Sequence, residues 1–205
     1  MTRRHQHCRL TLAVATAVCI DVCLAIPKTA WGLAFVVAPT LPALPTVALN
    51  ARAQVSNAKM NNFEVSDTLG SGWNITVAGN ATAGNSPTFA QYCPNSSGCG
   101  TDAFGYIPGG KTLPANSLTL NTTGASFTTT LGGPATFTCN TTPCNIDAAT
   151  PSKIATESTG AVVATWTTTG FSATSLALGT ATTLKILPAS EVYRVDVVWT
   201  LNTGP

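Results

Sequence analysis

The last fifteen residues of the chain read Glu191-Val-Tyr-Arg-Val-Asp-Val-Val-Trp-Thr-Leu-Asn-Thr-Gly-Pro205. Successive side chains of a β-strand point to opposite faces, so residues of one parity share a face. The even-numbered residues Arg194, Asp196 and Thr200 lie on one face, which is polar. The odd-numbered residues make the other face apolar: Tyr193, Val195, Val197, Trp199 and Leu201. This alternation predicts one strand with a buried side, and such a strand needs a sheet to pair with.

Alternation of apolar and polar residues predicts further short strands, separated by turns rich in Gly, Pro, Asn and Ser. These strands are expected at 46–49, 54–59, 63–65, 73–77, 117–120, 125–129, 161–168, 175–178 and 183–187. Long loops are expected at 79–114 and 132–151. Apart from the N-terminal region, no segment has an apolar period of 3.6 over ten or more residues. The sequence therefore predicts an all-β fold, a single-domain β-sandwich or open barrel with long disulfide-bearing loops.

The N-terminal region has the pattern of an export signal. Basic residues at positions 3, 4 and 9 precede an apolar run from Leu10 to Ile20, and Gly32-Leu33-Ala34 is a small-residue cleavage site. We expect a signal peptide over 1–34 and a mature domain over 35–205. A second site, Ala51-Arg52-Ala53, is less favoured because its use would remove a predicted strand. The apolar run is shorter than the roughly 20 residues that span a bilayer, so no membrane span is expected in the mature chain.

The composition argues against a nucleic-acid partner. Only 9% of the residues are charged, whereas a soluble domain usually has about a quarter. After Ala34 the chain has six basic and seven acidic residues, which leaves no basic patch to meet phosphates. Thr, Ser, Asn, Ala and Gly take the polar positions instead, as is typical of an extracellular all-β protein.

The residue types needed for common catalytic chemistry are scarce. Both histidines, His5 and His7, lie in the expected signal peptide, which argues against Ser-His-Asp or Cys-His catalysis and against a zinc site. The acidic residues are spread thinly, at Glu64, Asp67, Asp102, Asp147, Glu157, Glu191 and Asp196. A glycosidase-type carboxylate pair stays open as an alternative. So does a calcium site through Asp67, Asp102 or Asp147, although no D-x-D-x-D run occurs. We expect a protein that is not an enzyme and that has no metal and no cofactor.

Four cysteines follow the expected signal peptide, and an even number in an exported chain indicates two disulfides. They are Cys93, Cys99, Cys139 and Cys144. Four cysteines allow three pairings. The local one, 93 with 99 and 139 with 144, is favoured because each pair brackets a turn-rich loop.

The tryptophans Trp73, Trp166 and Trp199 lie on predicted strands. Large rings in a sandwich mostly fill the core, and the competing interpretation is a face that stacks on sugar rings. A second group of aromatic residues lies in the 79–114 loop, where binding residues are common. The candidate ligand-binding residues there are Phe89, Tyr92, Phe104 and Tyr106, and a small satellite core under the loop is the alternative.

Two segments resemble the paired tryptophan motifs of the WxL family of Gram-positive cell-surface proteins. They are Gly70-Ser71-Gly72-Trp73-Asn74-Ile75-Thr76-Val77 and Val197-Val198-Trp199-Thr200-Leu201-Asn202-Thr203-Gly204-Pro205. Trp199-Thr200-Leu201 matches the distal motif, and Trp73-Asn74-Ile75 matches the proximal motif with Ile75 in the place of Leu. The resemblance covers Thr46 to Pro205, and the cysteine loops look like those of actinobacterial members.

The resemblance implies a protein that is secreted and associates non-covalently with the cell surface or cell wall. The expected partner is a cell-wall glycan or peptidoglycan. The alternative is a structural or adhesive protein that assembles with other surface proteins, for instance by adding an edge strand to a partner.

Overall fold

The computed structural model describes residues 32–47, 52–129, 131, 133–157, 163–182, 184–188 and 190–204. Most of the expected signal peptide lies outside the described residues. Fifteen strands and no helix are found in the described ranges. The strands are β1 (Leu33–Val37), β2 (Gln54–Ala58), β3 (Glu64–Asp67), β4 (Trp73–Gly79), β5 (Ala90–Cys93), β6 (Gly105–Tyr106), β7 (Leu118–Leu120), β8 (Ser126–Thr128), β9 (Ala135–Phe137), β10 (Cys144–Asn145), β11 (Ser152–Glu157), β12 (Ala164–Thr169), β13 (Leu176–Thr180), β14 (Val192–Arg194) and β15 (Val197–Thr203).

The strands form four antiparallel sheets, which confirms the all-β prediction. We call β15-β4-β11-β9 the motif sheet and β1-β3-β12-β8 the facing sheet. The order β10-β7-β13-β2 makes the leucine sheet, and β14-β5-β6 makes the loop sheet. The motif sheet and the facing sheet approach each other at both edges, where β1 lies beside β15 and β8 lies beside β9. Together they form a β-sandwich.

Aromatic rings fill the space between the motif sheet and the facing sheet. Phe127 of β8 stacks on Phe137 of β9 with ring centroids 4.4 Å apart, and Trp73 of β4 meets Trp166 of β12 edge to face at 5.6 Å. Each contact joins one sheet to the other. Phe63 contacts the same cluster, with its ring 6.1 Å from that of Phe127. Such ring pairs add about 0.5–1.5 kcal/mol each to the free energy gained from burial.

The leucine sheet extends this core without further aromatic rings. It contributes four buried leucines from β7 and β13: Leu118, Leu120, Leu176 and Leu178. They alternate with Thr119 and Ala177, so the sequence period predicts their shared face correctly.

The terminal segment forms two strands where the sequence predicts one. β14 pairs with β5 in the loop sheet, whereas β15 pairs with β4 in the motif sheet. Between them, the backbone of Asp196 bonds to a loop: its N–H donates to Ser86 O at 3.0 Å, and its C=O accepts from Asn80 N at 2.7 Å. The alternation continues through this break because Val195 and Val197 are both buried.

Two other predicted strands differ from the structure. Residues 184–187 form no strand, and neither do Thr46 and Val47, while 48–49 lie outside the described residues. Conversely, β9 and β10 lie inside the predicted loop 132–151, and β11 was not predicted at all. A bulge between Lys153 and Ala155 places Ile154 and Ala155 both inside, which hides the alternation of β11.

Across these described ranges we find no helix with the length and apolar character needed to cross a membrane.

Candidate functional site

The two tryptophan motifs lie side by side in the motif sheet. β4 and β15 are antiparallel neighbours over seven paired positions, from Trp73 opposite Thr203 to Gly79 opposite Val197. Ile75 therefore faces Leu201, and Trp199 faces Val77. Paired positions that are 118 to 130 residues apart in the sequence are thus joined across two neighbouring strands.

Asn74 links the two motifs through its side chain. Its Nδ2 donates to Gly204 O at 2.8 Å, and its Oδ1 accepts from Asn202 Nδ2 at 3.1 Å. The backbone N–H of Gly204 also donates to Gly72 O at 2.9 Å. These bonds fix the end of β15 against the start of β4.

Burial separates Trp73 and Trp166 from any ligand. Trp73 and Trp166 have no exposed surface, and Trp166 Nε1 donates to Gly133 O at 3.0 Å. Trp199 is partly buried, packs against the core and has its ring 6.4 Å from that of Phe63. The rings of Trp73 and Trp166 cannot stack on a sugar without unfolding the sandwich. Thr200 is exposed beside Trp199, and Ile75 and Leu201 pack inward.

The four aromatic residues of the 79–114 loop divide into two places. Phe89 is buried in the main core. The other three form a cluster on the loop sheet, with ring centroids 5.0 Å apart for Tyr92 and Tyr106 and 5.9 Å apart for Tyr92 and Phe104. Tyr92 is buried and Tyr106 is partly buried, whereas Phe104 is 57% exposed. With Arg194, whose guanidinium lies 4.5 Å from the Tyr92 ring centroid, they form what we call the aromatic patch.

Asp196 links members of the aromatic patch to one another through hydrogen bonds. Its Oδ2 accepts from the Tyr106 hydroxyl at 2.5 Å and from the backbone N–H of Ser86 at 3.2 Å. Its Oδ1 accepts two bonds from Arg194, at 2.8 and 3.0 Å. Both oxygens of this buried side chain are thus occupied by donors, and the bonds fix the phenol and the guanidinium that flank Tyr92.

The electrostatics of the patch follow from this arrangement. Burial raises the pKa of Tyr106, and the hydrogen bond to the Asp196 carboxylate and its charge raise it further. Burial alone would lower the pKa of Arg194, but the charge and hydrogen bonds of Asp196 outweigh burial, so the net pKa is raised. Tyr106 is therefore a neutral donor and Arg194 a cation at neutral pH.

The Cys93–Cys99 disulfide closes the loop that precedes Phe104. Cys99 and Asp102 exchange backbone hydrogen bonds at 2.8 and 3.1 Å. The other disulfide is Cys139–Cys144. Both are the local pairs that the turn-rich loops predict. β5 ends at Cys93, β6 begins directly after Phe104, and the two strands pair with each other. The patch therefore lies on hydrogen-bonded backbone.

A cavity of about 440 Å³ lies beside β14, and Arg194 of the patch is one of its lining residues. One wall is the segment 41–47, in which Leu41, Leu44 and Val47 are partly buried at every third position. Three residues per turn is the period of an extended proline-rich chain. A second wall is the segment 184–187, with Leu176 and Leu178 of β13 at the floor. The cavity was not predicted from the sequence. The spacing of the apolar residues between the prolines nevertheless indicates that one side of segment 41–47 is apolar.

Glu191 brings a carboxylate to the cavity wall. It is buried, and its Oε2 accepts from Gln91 Nε2. The orientation of the Gln91 amide is fixed because its Oε1 accepts from Lys111 N at 2.9 Å. Glu191 Oε1 is buried and has no hydrogen-bond partner within the described part of the chain.

Two more buried acids lie at the Trp73 end of the sandwich. Asp67 accepts from the backbone N–H groups of Leu69, Gly70 and Ser71 at 2.8–3.0 Å, so it organises the 67–72 turn. Glu157 pairs with Trp73 across β11 and β4, and neither of its oxygens has a partner among the described residues. Burial raises the pKa of Glu157, and the negative charge of Asp67 raises it further.

The described residues contain no group of three or more His, Cys, Asp or Glu side chains placed to hold a metal ion. Asp147 Oδ2 accepts from the backbone N–H of Ser117 at 2.9 Å, and the backbone of Asp102 bonds to Cys99. The three aspartates weighed as calcium ligands therefore lie in separate backbone arrangements.

Comparison of the chain with protein-family models, with curated proteins and with solved structures finds no match.

Proposed function

We propose that this protein is an exported, non-catalytic binding module that associates non-covalently with the cell wall, through peptidoglycan or another wall glycan. The observation that carries the proposal is the aromatic patch, where Phe104 is 57% exposed on a base formed by Tyr92 and Tyr106. A fixed, exposed ring covers the apolar C–H side of a pyranose at little cost in conformational entropy.

The polar neighbours of the patch support the same ligand class. Arg194 lies over Tyr92 and is partly buried, with Asp196 holding its guanidinium in place. A pyranose carries hydroxyl groups around its apolar face, and an oriented guanidinium donates hydrogen bonds to them. The resemblance of the paired tryptophan motifs to those of the WxL family supports wall association independently of the patch.

In this proposal the tryptophan motifs are structural. Trp73 is fully buried, and Trp199 packs against the core, so both hold the sandwich on which the patch is mounted. The ligand contact is assigned to Phe104 and its neighbours instead.

The test is sedimentation of the purified protein with purified wall material. Phe104→Ala should reduce retention at least tenfold, which corresponds to about 1.4 kcal/mol, and its melting temperature should match that of the wild type because the side chain is mostly exposed. Phe104→Tyr should keep most of the retention. The matched control is Leu69→Ala, which removes another side chain that is 68% exposed. Full retention of Phe104→Ala would contradict the assignment.

A second candidate is a protein that assembles with other surface proteins. One observation favours it: β1 lies at the edge of the facing sheet and carries two exposed side chains, Val36 and Val37. An edge strand of this kind is a template for adding a partner strand. Retention on walls only when a second surface protein is present, and its loss in Val36→Lys, would favour this candidate over direct wall binding.

A further inference from the structure

The cavity beside β14 shares Arg194 with the aromatic patch but is lined by none of the three rings of the patch, and its dimensions are those of a ligand site. Its volume of about 440 Å³ lies within the range of small-molecule pockets, about 300–1,000 Å³. Most of its walls are aliphatic side chains, from segments 41–47 and 184–187 and from the leucine sheet. A wall of this kind suits an aliphatic body, because it offers dispersion contacts and few hydrogen bonds.

The buried polar group at the wall defines the complementary end of a ligand. Glu191 is buried, and one of its carboxylate oxygens, Oε2, is occupied by Gln91. Its Oε1 has no partner in the described residues. Gln91 cannot turn to serve both oxygens because its own carbonyl is bonded to Lys111 N. A buried carboxylate oxygen without a donor is costly, and a ligand donor at this position removes that cost.

The cations near the cavity do not compensate for this charge. Arg194 lines the cavity, but its Nε and Nη2 donate to Asp196 and its guanidinium lies over Tyr92. The ammonium of Lys111 donates to Ile186 O on the cavity wall at 2.7 Å. Lys185 also lines the cavity and is exposed at its rim. The buried atom without a partner is a carboxyl oxygen of Glu191, and an ammonium group, which has three N–H donors and no acceptor, is complementary to it.

We infer that the cavity binds a single-chain aliphatic molecule with a primary amine at one end, which donates to Glu191 Oε1. The aliphatic chain lies between segment 41–47 and the leucine sheet. Segment 41–47 forms no strand, and the side-chain hydrogen bond that reaches it within the described residues runs from Ser56 Oγ to Pro45 O at 3.2 Å. Leu41 and Leu44 pack against the core, whereas Ala43, Pro45 and Thr46 are exposed. A wall with so few hydrogen bonds opens for ligand entry at lower cost than a paired strand does.

Three probes with the same chain and different heads test this inference by calorimetric titration: dodecylamine, dodecanol and laurate. Dodecylamine and laurate are kept below their micelle concentrations, and dodecanol is kept below its solubility limit. The wild type should bind dodecylamine at least tenfold more tightly than laurate, with dodecanol between them. Glu191→Gln should weaken dodecylamine binding at least tenfold and change dodecanol binding less than twofold. Glu64→Gln, at a partly buried acid on β3, is the matched control and should change neither affinity.

A second variant locates the site without touching Glu191. Ala43 lines the cavity from the exposed side of segment 41–47, so Ala43→Trp fills the space without disturbing the core. It should weaken the binding of all three probes at least tenfold while the melting temperature holds. Phe104→Ala should leave dodecylamine binding unchanged, which keeps this site distinct from the wall contact.

Three outcomes would overturn the inference: tighter binding of laurate than of dodecylamine, equal binding of all three probes, or no binding at all. The first of these would assign the head group to Lys185 at the rim. If Glu191→Gln is unstable, the amine preference of the wild type together with Ala43→Trp still decides the question.

Discussion

Glu157 and Asp67 are both fully buried acids, yet their surroundings differ completely. Asp67 receives three backbone N–H groups of its own turn, so its carboxylate replaces the water that it loses. Glu157 has no donor within the described residues, and its pKa is raised by burial and then by the charge of Asp67. Glu157 therefore destabilises the fold when it is ionised.

Glu157→Gln should raise the melting temperature at pH 7 and leave it nearly unchanged at pH 4. The pKa of Glu157 is raised in the folded state, so its favourable contribution is complete below the unfolded pKa and is lost as pH rises through the folded value. Glutamine has the same shape and no charge to desolvate. Melting curves from pH 4 to pH 8 should show a wild-type decline that the variant lacks. A lower melting temperature for the variant at pH 7 would contradict the argument.

Asp67→Asn serves as a comparison. It should lower the melting temperature at pH 7, because the three backbone N–H groups that donate to Asp67 lose a charged acceptor.

Tyr106→Phe should separate stability from the wall binding that we propose for the aromatic patch. The hydroxyl donates to the buried Asp196, so its removal should lower the free energy of unfolding by about 1.5–3 kcal/mol, as expected for a hydrogen bond to a charged group. The ring remains under Tyr92, so wall retention should stay within about twofold of the wild type. Chemical denaturation and wall sedimentation measure the two effects. Phe104→Ala should show the opposite pattern, and loss of retention in Tyr106→Phe without loss of stability would assign the hydroxyl to the ligand.

At the scale of strands, the sequence period predicts the buried face correctly for strands without a bulge, and it fails at β11, where Ile154 and Ala155 are both buried. β4 and β13 alternate as their sequences do, and β15 buries Val197 while exposing Val198 and Thr200. The break between β14 and β15 was not predictable, because the partners of Asp196 are Ser86 and Tyr106, about a hundred residues away. Segment 184–187 has a strand composition but no neighbouring strand; instead it lines the cavity.

The candidate site was predictable only in part, for the same reason. The position of Phe104, Tyr92 and Tyr106 in a disulfide-bearing loop is visible in the sequence, and so is the local pairing of the cysteines. Which ring is exposed is not, because this depends on Arg194 of β14 covering Tyr92. Phe89 is an aromatic residue of the same loop, and the sequence does not distinguish it from the other three. In the structure, however, it is buried in the main core.

Trp199→Ala should lower the free energy of unfolding by about 3–5 kcal/mol, and Trp73→Ala by at least as much. Trp199 packs against the core beside Phe63, whereas Trp73 is fully buried and contacts the rings of Phe127 and Trp166. Urea denaturation of both variants measures the loss. Val198→Ala, at an exposed position on the same strand, should cost less than about 1 kcal/mol and serves as the control. An unchanged stability for Trp199→Ala, together with lost wall retention, would move this residue from the core to the ligand site.

At the scale of the whole molecule, the expected start of the mature chain falls within β1. Leu33 and Ala34 pair with Asp67 and Ser66, and Gly32 O accepts from the N–H and hydroxyl of Thr68 at 3.0 and 3.1 Å. A chain that starts at Phe35 lacks these contacts. Each hydrogen bond contributes about 1 kcal/mol. The free energy of unfolding should therefore be about 1–3 kcal/mol higher for a chain that starts at Gly32 than for one that starts at Phe35. Equal stabilities would show that this part of β1 contributes nothing. Intact mass of exported protein tests the expected start at Phe35.

Removal of the two disulfides should affect stability equally and wall retention unequally. Each closes a short loop, with sequence separations of 6 and 5 residues, and the loop-entropy relation gives about 2 kcal/mol for loops of this length. Cys139→Ser with Cys144→Ser should therefore lower the free energy of unfolding by about 2 kcal/mol and keep wall retention. Cys93→Ser with Cys99→Ser should cost a similar amount and reduce retention severalfold, because the 93–99 loop fixes the backbone that presents Phe104. Denaturation and wall sedimentation of the two double variants make the comparison. If both lost retention to the same degree, the effect would follow from global stability, and the placement of the wall contact beside the first disulfide would be wrong.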